Sequence, residues 1–179
     1  MNFKNQLKKY SFLTKASELS KSYNLDLYLV GGFVRDIILN RDREEMDFLV
    51  VGNGPDFAQH LANSLGVKEV SIFKNFGTAH FMYNGIALEF VGARKESYSR
   101  NSRNPIVEVG TLEDDIRRRD FTINTLAVSL NEKNYGELLD KFNGREDIEN
   151  KLIRTPLDPD QTFDDDPLRI MRAFRFASQ

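Results

Sequence analysis

The chain contains no cysteine in its 179 residues, which removes disulfides, thiolate metal sites and cysteine nucleophiles together and fits a reducing compartment. No apolar run approaches the roughly 20 residues needed to span a bilayer, and no secretory leader pattern is visible. The expectation is a cytoplasmic protein with no membrane association. A large charge of one sign is also missing, because 25 Lys and Arg stand against 27 Asp and Glu, a formal net charge of -2. Any nucleic-acid contact must therefore rest on local basic clusters and not on a global field. Internal repeats and low-complexity tracts are absent. Apolar residues are plentiful, at 40% with 14 Phe, and the length suits one well-buried domain with a little left over.

The densest information lies in Gly31, Gly32, Phe33, Val34, Arg35 and Asp36, followed after a short gap by Glu45, Met46 and Asp47. An apolar run over 25–30 feeds the glycine pair, a helical pattern covers 34–39, and a second apolar run over 48–51 opens behind the two acids. This reads as strand, glycine turn, helix and strand. Side chains alternate along a strand, so Glu45 and Asp47 share one side while Met46 and Phe48 share the other. Magnesium prefers hard oxygen ligands, commonly one or two carboxylates with phosphate oxygens and water, and paired metals clamp both oxygens of a phosphoryl displacement. The glycines let backbone N–H groups approach a triphosphate. Glu89 is a candidate third carboxylate, with an outward-facing strand position as the equal alternative.

Elsewhere, helix-like spacing covers 2–23 with Phe12, Leu13, Ala16 and Leu19. A further helix fits 54–65, with Pro55 near its first turn. Strand-like segments occupy 69–73, 78–83 and 86–91, and Asn84-Gly85 between the last two is a hairpin signal. From 92 to 110 the composition turns basic and polar, which predicts a mobile loop, either a solvated excursion or an arm in which Arg94, Arg100 and Arg103 supply charge near phosphates. The run 112–126 is helix-like and mixes acids with arginines. Asn143-Gly144 marks a turn before a helix. Pro167 opens a last helix in which 166, 169, 172 and 175 form a polar row beside an apolar row of Leu168, Met171 and Phe174.

These motifs resemble the polymerase-beta-like nucleotidyltransferase superfamily, and in their longer form the class II CCA-adding tRNA nucleotidyltransferases and the bacterial poly(A) polymerases. The resemblance covers nearly all of this chain but only part of a family member. It implies an α/β catalytic head over 1–155, with a mixed, mainly antiparallel sheet of about five strands and flanking helices, and the start of a helical neck over 156–179. It implies Mg2+ as cofactor, CTP and ATP as substrates, and the 3′ end of tRNA or another RNA as acceptor. Glu45 and Asp47 would be the catalytic metal ligands, although the family has aspartate where Glu45 stands, and the extra methylene places that carboxylate farther out.

Gly31, Gly32 and Arg35 would hold the triphosphate. The family's second motif falls on Arg118, Arg119, Asp120, Phe121, Thr122, Ile123 and Asn124, where Asp120 suits ribose hydroxyls and Arg119 suits phosphate oxygens, with Asn124 also placed in the nucleotide site. Asp140 matches an aspartate before a helix that is implicated in domain motion, and a turn role fits it as well. Asp166 and Arg169, joined by Arg172, would read the base, since an aspartate accepts from the exocyclic amine of cytosine or adenine while an arginine donates to ring nitrogen and carbonyl acceptors. Asp166 before Pro167 also suits a helix N-cap, the lesser of the two readings. CCA addition, poly(A) or partial CC- or A-addition, and a non-catalytic nucleotide-binding module remain separate readings.

Overall fold

A computed structural model describes residues 1–74, 77–99 and 102–179, with backbone alone at 97–99 and 102–106. The N-terminal segment forms two helices, α1 (Lys4–Leu7) and α2 (Phe12–Ser22), and not the single helix expected over 2–23. The break lets Phe3 and Leu7 enter the core independently of Phe12, Leu13 and Ala16. Gly136, at φ +81, admits the close approach: a Cβ there would lie 2.7 Å from the Lys4 nitrogen, and its carbonyl accepts from the Phe3 N–H.

Next come β1 (Asp26–Val30), α3 (Gly32–Ile38) and β2 (Glu45–Val51), matching the expected strand, turn, helix and strand. The helix α4 (Gly54–Leu65) starts at Asn53, whose side chain accepts from the Asp56 N–H, and stops at Gly66 in the left-handed region. The strands β3 (Ser71–Phe73), β4 (Thr78–Tyr83) and β5 (Ile86–Gly92) follow. Asn84 and Gly85 both have positive φ, as a tight primed hairpin turn requires.

The expected loop over 92–110 is instead a two-stranded antiparallel ribbon, β6 (Arg94–Ser99) and β7 (Ser102–Val109). Apolar alternation cannot reveal it because charge anchors it: the Glu96 carboxylate, 3% exposed, receives Arg94 at 2.8 Å and Arg118 at 3.1 Å. Of the three arginines assigned there, Arg100 and the Arg103 side chain lie outside the described residues.

The helix expected over 112–126 is shorter. The helix α5 (Leu112–Arg117), closed by a reciprocal cap between Thr111 and Asp114, gives way to a 3-10 turn at Thr122–Asn124 and then to β8 (Ala127–Ser129). The chain ends with β9 (Leu138–Leu139), α6 (Gly144–Glu149), α7 (Pro159–Asp165) and α8 (Leu168–Ala177).

Seven strands make the main sheet, in the order β3-β4-β5-β2-β1-β8-β9, two more than expected. β8 and β9 are too short to show a period of two. Every neighbouring pair is antiparallel except β2 with β5, so the sheet is mixed and mainly antiparallel, as expected. Its short edge strands offer little to edge pairing. Phe90 lies at the centre of the core, stacked on Phe48 at 4.5 Å and Phe81 at 5.4 Å, with Phe57 of α4 at 6.0 Å. Among the described residues no helix is long and apolar enough to cross a membrane.

Candidate nucleotide-binding site

One cleft of about 650 Å³ gathers most of the residues singled out in the sequence: Gly31, Gly32, Arg35, Asp47, Asp120, Asn124, Arg119, Asp166, Arg169 and Arg172 all line it. The sheet supplies its floor. Because β2 and β5 run parallel in the register Asp47 to Glu89, two carboxylates stand side by side and both face the cleft. Burial pushes the Asp47 carboxyl above the usual range; Arg119 opposes this and Glu89 adds to it. A half-buried acid beside a second acid, both lining an open cleft, suits a divalent cation that takes its remaining ligands from phosphate and water. Among the described residues no group of three or more His, Cys, Asp or Glu is arranged to hold a metal together. Glu45 shares Asp47's side of β2, but its carboxylate is 66% exposed and pairs with Arg43 at 3.2 Å.

Gly31 caps α3 at φ +66, a conformation that L side chains rarely adopt. A Cβ there would lie 2.9 Å from Arg119 Nη1 and 3.5 Å from Asp47 Oδ2. The glycine thus lets the 119 guanidinium and the 47 carboxylate come together over the turn. At Gly32 a Cβ would run into Arg43 Nη1.

Arg35 is buried and its fork is spoken for. Nε and Nη2 reach Asp36 at 2.9 and 3.2 Å, while Nη1 donates to the Asn124 side-chain oxygen at 2.8 Å. It ties α3 to the 3-10 turn and so fixes Asn124. Asn124 in turn donates to Asp120 Oδ1 at 3.0 Å, the same oxygen that accepts from the Phe121 N–H. Arg172 Nε reaches the other oxygen, Asp120 Oδ2, at 2.6 Å.

Arg119 is aimed by Asp115, which is fully buried and pairs with Arg118 at 2.5 Å and Arg119 at 3.0 Å. Burial alone would raise the Asp115 carboxyl, yet the two guanidinium groups hold it below the usual range. The 3-10 turn is held from beneath: Thr122 donates its hydroxyl to the buried Asp147 at 2.6 Å, and a Cβ on Gly144 would strike the Thr122 carbonyl. Asp140 accepts from the Gly144 and Arg145 N–H groups at 2.7 and 3.0 Å, the geometry of a turn role.

On the helical side, Asp166 Oδ1 accepts from the Leu168 N–H at 3.1 Å, so it caps the start of α8 while lining the cleft. Arg169 donates to the carbonyls of Thr162 and Arg118 at 3.2 and 3.0 Å, which moors α8 to α7 and to the arginine turn. Phe176 lies under Arg35 at 5.1 Å and Arg172 at 5.3 Å, edge-on to Phe121 at 5.8 Å. The sequence motifs single out neither Phe176 nor Arg43 as site residues, and they give Asp115 no role. Arg43 lies before β2, beyond a bend at Glu44, so all three emerge only from tertiary packing.

Comparison with known proteins agrees with this fold. The pattern of the Poly A polymerase head domain matches residues 27–154. An A-adding tRNA nucleotidyltransferase of Aquifex aeolicus is 46% identical over 155 residues, covering 87% of this chain and 18% of that protein. A CCA-adding enzyme in its apo form II superposes with a TM-score of 0.89 at 32% identity, over 99% of this chain and 43% of that one. A tRNA nucleotidyltransferase complexed with a primer tRNA and an incoming ATP analog gives a TM-score of 0.78 at 41% identity, over 90% and 44%. The chain therefore spans less than half the length of each relative. The match over 27–154 and the agreement in fold place this chain in the Poly A polymerase head domain family, with the class II CCA-adding and A-adding tRNA nucleotidyltransferases as its relatives.

Proposed function

We propose that the chain is the nucleotide-binding and catalytic head of a tRNA nucleotidyltransferase, which transfers CMP and AMP from CTP and ATP to a tRNA 3′ end with release of pyrophosphate. The observation that carries this reading is the single cleft in which Asp47 and Glu89 face Arg119, Asp120 and the α8 row of Asp166, Arg169 and Arg172. The division of labour follows the geometry. Asp47 and Glu89 offer oxygens to Mg2+, with Glu45 beside them, and a bound ion would polarise the phosphates and lower the pKa of the attacking hydroxyl. Gly31, Gly32 and Arg119 border the phosphates. Asp120, steadied by Asn124, receives the ribose hydroxyls once Arg172 gives way. Asp166 and Arg169 read the base. Arg35 acts one step back, by fixing Asn124. Residues 1–155 form the head in this reading, and 156–179 begin a helical neck.

The test is transfer by the full-length protein to tRNA ends lacking CCA, ending in C, or ending in CC, with Mg2+ and one nucleotide at a time. Stepwise CTP and then ATP use is expected. No transfer to any end would overturn the proposal. Restriction to AMP on CC-ended tRNA would establish a second reading, A-addition alone, which the 46% identity to the Aquifex A-adding enzyme supports.

A further inference from the structure

Seven arginines line the cleft, and their existing partners differ sharply in how firmly they hold. Arg35 is gripped by Asp36 and Asn124. Arg118 and Arg119 share the fully buried Asp115, Arg169 holds two carbonyls, and Arg172 holds Asp120. Arg175 stacks on Phe176 at 4.8 Å, on the helix that carries the base-reading candidates.

Arg43 is held otherwise. Its Nη1 lies 3.2 Å from Asp36 Oδ2, an oxygen that Arg35 already serves. Its Nη2 lies 3.2 Å from Glu45, whose carboxylate is 66% exposed, and a pair so open to water is weak. The guanidinium rests against Gly32, next to the glycine turn and within the electrostatic reach of Asp47. Held by Asp36 on one side and by a solvent-screened pair on the other, and placed at the carboxylate end of the cleft, it has one arm that can turn toward an anion arriving there.

Resting on the nucleotidyltransferase reading, we infer that Arg43 is a phosphate-binding residue for the incoming triphosphate, which exchanges the Glu45 carboxylate for phosphate oxygens when the nucleotide enters. The exchange replaces one solvent-screened pair by charge-assisted hydrogen bonds to a group of higher charge. It also releases Glu45 from its cation.

The experiment is equilibrium binding of CTP and of CMP to the full-length protein, with no divalent cation present, for wild type, Arg43→Ala, Arg43→Lys and Glu45→Gln. The wild type is expected to prefer CTP over CMP. Arg43→Ala should weaken CTP binding by about ten- to a hundredfold, the loss of a hydrogen bond to a charged group, while CMP binding changes little. Arg43→Lys should recover part of the preference and also serves if the alanine variant does not fold. Glu45→Gln should keep or raise the preference, since it removes the competitor. An unchanged CTP to CMP ratio in Arg43→Ala and Arg43→Lys would overturn the assignment, as would loss of the preference in Glu45→Gln, which would make Arg43 a mere partner of that acid. If the wild type binds neither nucleotide, the failure lies with the nucleotidyltransferase reading itself.

Discussion

Arg172 Nε donates to Asp120 Oδ2 at 2.6 Å, so a cation from α8 occupies the carboxylate to which the proposed function assigns the sugar of a nucleotide. In the proposed reading, the base-reading helix and the ribose acceptor are thereby coupled. Asp120→Asn keeps the shape but loses the charge, and it should reduce selection of ATP over dATP by about tenfold, the scale of one hydrogen bond to a charged group. Competitive incorporation of the two nucleotides measures this directly. Equal selection in variant and wild type would move the ribose site elsewhere.

The carboxylate pair gives a second expectation. Asp47→Ala should abolish most transfer while the circular dichroism spectrum stays that of the wild type, because Asp47 sits at the cleft-facing start of β2 and not among the core phenylalanines. Near-normal transfer by the folded variant would remove Asp47 from the site. Glu45→Asp should preserve or raise the rate, since it shortens the ligand to the aspartate that the family resemblance implies; a collapse would mean that the site has adapted to glutamate.

Base selection can be separated from helix architecture. Arg169→Ala removes donors worth about 1–3 kcal/mol of base discrimination, seen as misincorporation of UTP or GTP, and it also frees the two carbonyls that moor α8, so its melting temperature should fall. Asp166→Asn retains an oxygen for the Leu168 N–H and should melt like wild type, yet change nucleotide choice because the amide adds donors. Unaltered selectivity in both variants would leave α8 as scaffold alone.

Acid should expose the Asp115 network. Its carboxyl is held below the usual range: burial raises it, and Arg119 and Arg118 more than offset that. The stability it contributes is complete above the ordinary aspartate pKa of about 3.9 and is lost as pH falls through its depressed folded value. Asp115→Asn should therefore cost about 3 kcal/mol near neutrality, as expected when a buried pair loses one member. The gap from wild type should narrow as pH drops below about 4. Urea unfolding at several pH values reads it, and a gap independent of pH would contradict the ion-pair explanation.

For RNA, the net charge of -2 leads to weak binding by residues 1–179 alone, falling steeply with salt. Filter binding of tRNA across a salt series would show it. Tight, salt-resistant binding would place the RNA surface on this segment.

Much of the fold is legible in the residues themselves, and for identifiable reasons. Glycines at 31 and 32, the acid parity at 45 and 47, and the Asn84-Gly85 turn are local signals, so β1, α3, β2 and the β4 and β5 hairpin can all be read from them. Charged strands cannot: β6 and β7 bury Glu96 against Arg94 and Arg118, an arrangement with no hydrophobic period. The strands β8 and β9, with three and two residues, are shorter than any pattern test. The start of α1 packs against Gly136, which lies far along the chain. Within the site, the identities of the residues are visible in the sequence but their existing partners are not. Only the folded geometry reveals that Arg35 faces Asp36 and Asn124, or that Asp166 caps α8 while lining the cleft.

The parallel pairing of β2 with β5 also dictates an order of manufacture. Antiparallel neighbours can zip from a short turn, but a parallel partner must wait until the chain has left the sheet, crossed it and returned. Residues 52–85, with α4, β3 and β4, make that excursion. Asp47 therefore leaves the ribosome well before Glu89, and the two carboxylates meet only after a long loop has closed. Closure entropy grows slowly with loop length, so lengthening or trimming this excursion would change the cost of bringing the two acids together only slightly.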